Sequence, residues 1–258
     1  MITIEKDVYE FSYKRETPRA DALHRHMHNG YELLYFLRGD AEYVIGSATY
    51  RLSPRTLLFI RPRDFHYLRP LSDAPYERFV IHFPREAIPP SLLAFTDNAP
   101  DVYHVPKGSE TEAFFARWEA AERTYTREDL TTLLTGSVPA LLLCLKYGRF
   151  ADTAQPTREN QTLDAILRYI DEHPTERITA TALAAQFFVS TSWIVHSFRT
   201  HLGITLMQYV NKKRILYAEA RIREGASPTA VAKECNYESY VTFYRQFKKY
   251  LKYNPSEK

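Results

Sequence analysis

Residues Thr179 to Gly203 read TATALAAQFFVSTSWIVHSFRTHLG, and residues Ser227 to Leu251 read SPTAVAKECNYESYVTFYRQFKKYL. The two stretches share a pattern. Thr179 and Ser227 are residues that cap a helix N-terminus, and Pro228 suits the first helical position. Short apolar segments follow, each with a small residue, Ala184 or Ala232, where two helices can cross closely. Ser190 caps the second helix of the first stretch, and Gly203 ends it. In the second stretch Asn236 marks the turn, because it tolerates a left-handed backbone, and the next helix runs from Glu238 to Tyr250. Each stretch is a helix, a turn and a helix. Between them TLMQYVNKKRILYAEARIREG forms one long amphipathic helix ending at Gly225. Ahead of them LDAILRYIDEH sets Leu163, Ile166, Leu167 and Ile170 on one helical face and stops before Pro174.

Two helix-turn-helix units held by a long helix have a physical use. The second helix of each unit can enter a major groove, and a spacing of about one DNA turn lets one chain read two successive grooves. Charge supports this. Net charge is +3 over the 258 residues, but residues 160–258 hold 14 Lys/Arg against 9 Asp/Glu. The basic half is the one with the paired units.

The segments LAAQFFVSTSWIVHSFRTHLGITLMQYVNKKRILYAEARI and AVAKECNYESYVTFYRQFKKYLKYNP closely resemble the AraC/XylS family of bacterial transcription regulators. The likeness rests on Asn236-Tyr237 at the turn, on Ser239, Phe243, Arg245, Phe247 and Lys248 at the family's spacing, and on Pro255. It implies that the first recognition helix presents Ser192, Val195, His196 and Arg199. The second would present Tyr240, Val241, Tyr244 and Arg245, with Lys248 beside them. Phe187, Ile194, Phe198, Phe243 and Phe247 would face inward. His196 stands where the family often has arginine, so the first unit is expected to contribute less affinity than the second. Arg245 could grip guanine through two hydrogen bonds, worth about 1–3 kcal/mol of discrimination. Lys212, Lys213, Lys248 and Lys249 are candidates for phosphate contacts, although any single lysine is more simply a solvated surface residue.

The first 83 residues read as strands. YELLYFLRGDAEYVIGSATYRLSPRTLLFIRPRDFHYL is rich in Tyr, Val, Ile, Leu and Phe, and is broken by turn signals at RGD, GSA and SPR. Pro84, Pro89 and Pro90 are expected to close this β region. HMHNGYELLYFLRG has the spacing H-x-H-x3-E-x6-G through His26, His28, Glu32 and Gly39. It resembles the first signature of the cupin barrels, and RTLLFIRPRDFH, ending at His66, resembles a degraded second one. Arg55 and Arg63 occupy positions where cupins usually have glycine, Arg61 stands at a usual proline, and Pro70 replaces a late asparagine. The resemblance implies a small double-sheet barrel with a central cavity. Residues i and i+2 on a strand face one side, so His26 and His28 would point inward, and Glu32 and His66 could complete a transition-metal site. The same residues, with Tyr35, could instead line a wet pocket for an organic ligand. Tyr31, Tyr35 and Tyr43 could stack on a sugar, though filling the barrel is the plainer reading. His24 is expected to face outward, and His82 either to point into the pocket or, as the slightly favoured reading, to be a satisfied strand histidine.

The middle of the chain turns helical. Phe114, Phe115, Trp118, Ala121 and Tyr125 make one apolar stripe. Leu130, Leu133, Leu134, Val138, Leu141, Leu142 and Leu145 make another. Such stripes usually pack within one chain, but the family resemblance points to pairing of two chains through the second helix. The sequence thus predicts an α+β multidomain chain: a cupin-like barrel over 1–107, a helical dimerisation segment over 108–148, a linker over 149–160 and an all-α double helix-turn-helix domain over 161–258. The expected function is a cytoplasmic regulator, an activator by resemblance, controlled by a small molecule such as a sugar. Its expected partners are double-stranded promoter DNA, RNA polymerase and a second copy of itself. Beyond a possible barrel metal no cofactor is expected, and no catalytic residues. The alternative is a metal-dependent cupin enzyme or metal sensor fused to a DNA-binding domain. No run of about 18 apolar residues suggests a membrane span. The N-terminal MITIEKDVYEF is unlike a signal peptide. Cys144 and Cys235 are expected to be reduced core residues.

Overall fold

The computed structural model describes residues 10–18, 26–150, 157–158 and 161–256. The chain forms two compact units that meet at residues 157 and 158. His24, and residues 151–156 and 159–160 of the expected linker, lie outside the described residues.

The first unit runs β1 (Glu10–Glu16), β2 (Tyr31–Arg38), β3 (Ala41–Ile45), β4 (Ala48–Arg51), β5 (Thr56–Ile60), β6 (His66–Pro70), β7 (Tyr76–Phe83), α1 (Pro90–Asn98), β8 (Val102–His104), α2 (Glu110–Glu122) and α3 (Arg127–Tyr147); the two-residue β9 (Thr157–Arg158) straddles the boundary. The strands make two sheets, ordered β1-β7-β2-β5-β8 and β6-β3-β4-β9. Strand β2 lies in the middle of the larger sheet, and its alternation divides two cores. Leu34 and Phe36 meet Tyr43, Ile45, Tyr50, Leu58 and Val80 between the sheets. Leu33 and Tyr35 face the other way and pack with Phe79, Phe115, Trp118, Leu134 and Val138 beneath the helices.

The prolines do not end the β region. Helix α1 begins at Pro90, which suits a first helical turn, and β8 then returns to pair with β5. The pairing joins residues far apart in sequence, so no local signal marked it. Gly39 has φ +129°, and a Cβ there would lie 2.4 Å from Tyr76 Cβ, so the turn into β3 needs glycine. Arg55 and Arg63, at the two substituted glycine positions, both have φ +69°. The chain keeps the left-handed turns and accepts the strain of a side chain in them.

Ser109 and Thr126 cap α2 and α3 through the amides of Glu112 and Asp129. Trp118 is fully buried, and its Nε1 donates to Ser137 Oγ at 3.0 Å. The leucine stripe of α3 packs against the larger sheet as core of the one chain, with Leu133 only partly buried. Tyr125 falls past the end of α2 and is exposed. By length and apolar composition α3 could cross a membrane, with a mean hydropathy of 1.4 over its best window. In the fold it is an amphipathic core helix, with seven buried residues from Leu130 to Leu145.

The second unit is α4 (Gln161–Glu172), α5 (Ala180–Gln186), α6 (Thr191–Ser197), α7 (Leu206–Arg223), α8 (Pro228–Glu234) and α9 (Tyr240–Leu251). A π-turn, Phe198–Leu202, extends α6 to the left-handed Gly203. Thr179, Ser190 and Ser227 cap their helices as the sequence indicates, and Leu163, Ile166, Leu167 and Ile170 are buried on α4. The last helix starts two residues later than expected, capped by Ser239. Asn236 takes φ +58°, and Phe188 takes φ +55° at the matching turn of the first unit. Lys213 is buried and ion-paired with Asp171 at 2.6 Å, so it braces α7 against α4 and is no surface phosphate contact. Arg214, also buried, donates to the carbonyls of Pro174 and Glu176. Both cysteines are free thiols; Cys235 is buried and Cys144 half-buried.

Candidate functional site: a buried histidine–carboxylate cluster and two exposed recognition helices

The antiparallel register of β2 and β7 sets Glu32 directly opposite His82. A one-residue bridge joins His26 to His66, with their backbone amides and carbonyls exchanged at 3.1 and 3.0 Å. His28 follows in a loop, not on a regular strand, and its Nδ1 is fixed 2.9 Å from Gly30 O. These local arrangements bring three imidazoles onto one carboxylate and a fourth beside them. Glu32 Oε2 lies 3.0 Å from His28 Nε2, 3.3 Å from His66 Nε2 and 2.8 Å from His82 Nε2. His26 Nε2 is 3.0 Å from His66 Nε2. The other carboxylate oxygen accepts from Tyr43 Oη at 3.3 Å.

Glu32 and His66 are buried, whereas His26 and His28 are half-buried, so the cluster has an inner floor and a more open side. Burial opposes ionisation of Glu32, but the charges of His82 and His66 and the hydrogen bonds from His28 and His66 outweigh it. Its carboxyl is held well below the usual range. Burial likewise dominates at His28 and pushes its pKa down, although Glu32 pulls it up. Burial, then the nearby Glu32 charge, pushes the Tyr43 phenol up, consistent with a phenol that donates.

The structure therefore gathers His26, His28, Glu32 and His66, the set that the barrel resemblance implied. It does not place Tyr35 with them. Glu32 and Tyr35 are an odd number of residues apart on β2, so they face opposite sides of the sheet. Tyr35 stacks on Phe115 at 4.3 Å, away from the cluster. Tyr31 likewise faces outward, stacked on Phe83 at 5.6 Å, while Tyr43 faces inward. Of the two readings open for His82, a pocket-facing residue or a satisfied strand histidine, the structure shows the first: its Nε2 lies 2.8 Å from Glu32 Oε2. The alternation of Phe79, Val80, Ile81 and His82 is apolar on both faces, so sequence gave no sign of which face was inward.

In the second unit, Ser192, Val195, His196 and Arg199 on α6 and its extension are exposed, as are Tyr240, Val241, Arg245 and Lys248 on α9. Tyr244 is half-buried and donates to Asn254 Oδ1 at 2.6 Å. Val195 and Val241 are 54% and 56% exposed. Ile194, Phe198, Phe243 and Phe247 are buried behind them. Phe187 is only half-buried, its ring edge-on to Tyr169.

Comparison with known proteins follows the same division. A family described as "AraC-like ligand binding domain" matches residues 9–134, and a "Helix-turn-helix domain" family matches residues 183–258. The HTH-type transcriptional activator RhaS of Pectobacterium atrosepticum is 23% identical over 248 residues, covering 90% of this chain and 86% of its own length. A response regulatory protein of Staphylococcus epidermidis is 28% identical over 111 residues, and a second, SERP2406, is 30% identical over 95 residues. The chain spans only 44% and 38% of the length of those two relatives. Among solved structures, ToxT from Vibrio cholerae aligns over 97% of both chains at 15% identity, with a TM-score of 0.41.

Proposed function

The chain belongs to the AraC family of transcription regulators, with an AraC-like ligand-binding domain ahead of its DNA-binding helix-turn-helix domain, and from that premise we propose that it is an effector-controlled activator of bacterial promoters. The observation that carries this reading is the repeated unit itself. Two capped helix pairs, α5–α6 and α8–α9, are tied by the single helix α7 and each turns an exposed second helix outward. Ser192, Val195, His196 and Arg199 read one major groove. Tyr240, Val241, Tyr244, Arg245 and Lys248 read the next. The first unit binds more weakly, because His196 lacks a fixed charge.

The effector binds in the barrel at His26, His28, Glu32 and His66. It acts by binding two arrangements of the protein with different affinity. A sugar is the organic class the family resemblance suggests, although Tyr35 is not available to stack on one there. Pairing of two chains uses the outward side of α3, where Gly136, Leu143 and Tyr147 are exposed opposite the buried stripe. Promoter work and contact with RNA polymerase place the protein in the cytoplasm.

The test uses duplexes selected from a random pool by the wild-type chain. Arg245→Ala should weaken binding by about 1–3 kcal/mol and relax choice at one base pair. Unchanged affinity and unchanged base preference would show that α9 does not read DNA through Arg245.

A further inference from the structure

The two helix pairs pack on different stretches of α7. Ile215, Ala218 and Ile222 meet Val231 and Ala232 of α8 and Phe243 and Phe247 of α9. Nearer its start, α7 sets Tyr209 edge-on to Phe198 of the first pair. Two small cores on one 18-residue helix, about 27 Å long, shift against each other when that helix bends. Such a bend changes the distance between α6 and α9, which a chain reading two grooves must hold constant.

The loop from α4 to α5 supplies a second connection. Its successive carbonyls at Pro174, Thr175 and Glu176 each accept from a side chain on α7 or beyond. Arg214, midway along α7, donates through Nε to Pro174 O at 3.3 Å and through Nη2 to Glu176 O at 2.6 Å. Asn236, in the turn between α8 and α9, donates through Nδ2 to Thr175 O. The loop then runs into Thr179, the cap of α5. Ahead of it, Asp171 of α4 accepts from Lys213 Nζ at 2.6 Å and from Tyr209 Oη at 3.1 Å. The loop is thus tied on one side to α7 and on the other to the turn of the second pair.

Neither fastening residue is the simplest choice for stability alone. Arg214 is 7% exposed, and among the described residues no carboxylate pairs with it. Burying a guanidinium is costly unless its N–H groups are bonded, and an apolar side chain would avoid that cost. Asn236 takes φ +58°, where glycine has no steric penalty. Phe188 takes φ +55° at the matching turn with no amide at all, so the backbone does not demand one. What Asn236 adds is its reach from the second pair to the loop that begins the first.

We infer that the α4–α5 loop is a strut between the two helix pairs, fastened by Arg214 and Asn236 as positioning residues, and that it sets the half-site spacing one chain accepts. This rests on the reading of α6 and α9 as the helices that enter DNA. One inserted base pair displaces a half-site by about 3.4 Å and rotates it by about 35°. A strutted chain does not follow that change, whereas a chain joined through α7 alone follows it by bending.

The test uses the full-length chain and a duplex it selects from a random pool. Companion duplexes carry one base pair inserted or removed between the half-sites. Wild type should bind either companion about tenfold or more weakly than the selected duplex. Asn236→Gly keeps the left-handed turn and removes only the amide. It should lose about threefold or less on the companions, with base preference inside each half-site unchanged. Arg214→Met, its fold checked by a melting curve, should behave the same way. A spacing penalty as steep in both variants as in wild type overturns the strut, and so does a wild type indifferent to spacing. A second readout needs no DNA. Spin labels at Ala185→Cys on α5 and Lys249→Cys on α9, in a Cys144→Ser chain, report the distance between the pairs by double electron–electron resonance. Adding Asn236→Gly should widen the distance distribution; an unchanged width overturns the strut even where DNA is bound. A widened distribution in a chain that selects no duplex keeps the strut and overturns the reading of α6 and α9.

Discussion

Phe188 should be more stably replaced by asparagine, and the gain can be worked out from its surroundings. The residue has φ +55° in the turn between α5 and α6 and is 95% exposed. A left-handed backbone costs an L-residue with a bulky side chain about 1–2 kcal/mol, and asparagine less. Little packing is lost in exchange. Roughly a twentieth of a side chain of about 200 Å² is covered, so at about 25 cal/mol per Å² the loss is about 0.25 kcal/mol. The net gain is therefore about 0.5–1.5 kcal/mol. The chain supplies its own precedent, because Asn236 takes φ +58° at the matching turn. Urea unfolding of the full-length chain, followed by far-UV circular dichroism, should show the transition of the helical unit at higher urea with an unchanged slope. A midpoint that stays put or falls would refute the idea that the turn is strained. The reverse exchange, Asn236→Phe, should cost more than Phe188→Asn gains, since Asn236 Nδ2 also donates to Thr175 O.

Three further outcomes follow from the packing and charge. Trp118→Ala removes a fully buried indole that packs on Phe11 and Phe115, and should destabilise the first unit by about 3–5 kcal/mol in the same unfolding assay. Burial pushes Lys212 down to about 8 from an ordinary 10.5, so the unfolded chain holds that proton more tightly than the folded one. Wild-type stability should rise between about pH 8 and 10.5 from this group, whereas Lys212→Met should lack that rise and be more stable at pH 7; parallel melting curves from pH 7 to 10.5 check both. Leu143→Glu alters an exposed position on the outward side of α3, so it should leave the melting temperature nearly unchanged while sedimentation shows dimers shifting to monomers.

Legibility from sequence followed the range of the interactions. Helix caps are local, so Thr179, Ser190 and Ser227 could be read directly, and so could the buried face of α4. The left-handed turn at Asn236 needed only one residue's preference. The spacing from His26 to Glu32 marked the cluster, because a family likeness carried its geometry. His82 was not legible, since it joins Glu32 by the pairing of strands about 50 positions apart. Tyr35 was read on the wrong side for a reason that was available: three residues along a strand reverse the face. Lys213 looked like surface because lysine usually is. Only the packing of α7 on α4 showed Asp171 waiting for it.

The alternation of β2 has a mechanical consequence. On one side of this strand Glu32 stands in the histidine cluster; on the other, Leu33 and Tyr35 press on the helical layer, Tyr35 flat against Phe115 of α2. The strand is a diaphragm one backbone thick. A translation of Glu32 that carries the backbone with it also carries Leu33 and Tyr35, because the pleat offers no slack between successive residues. A shift of the β2 backbone at Glu32 should therefore register at Phe115 and Trp118 in the helical layer, with no lever or hinge between.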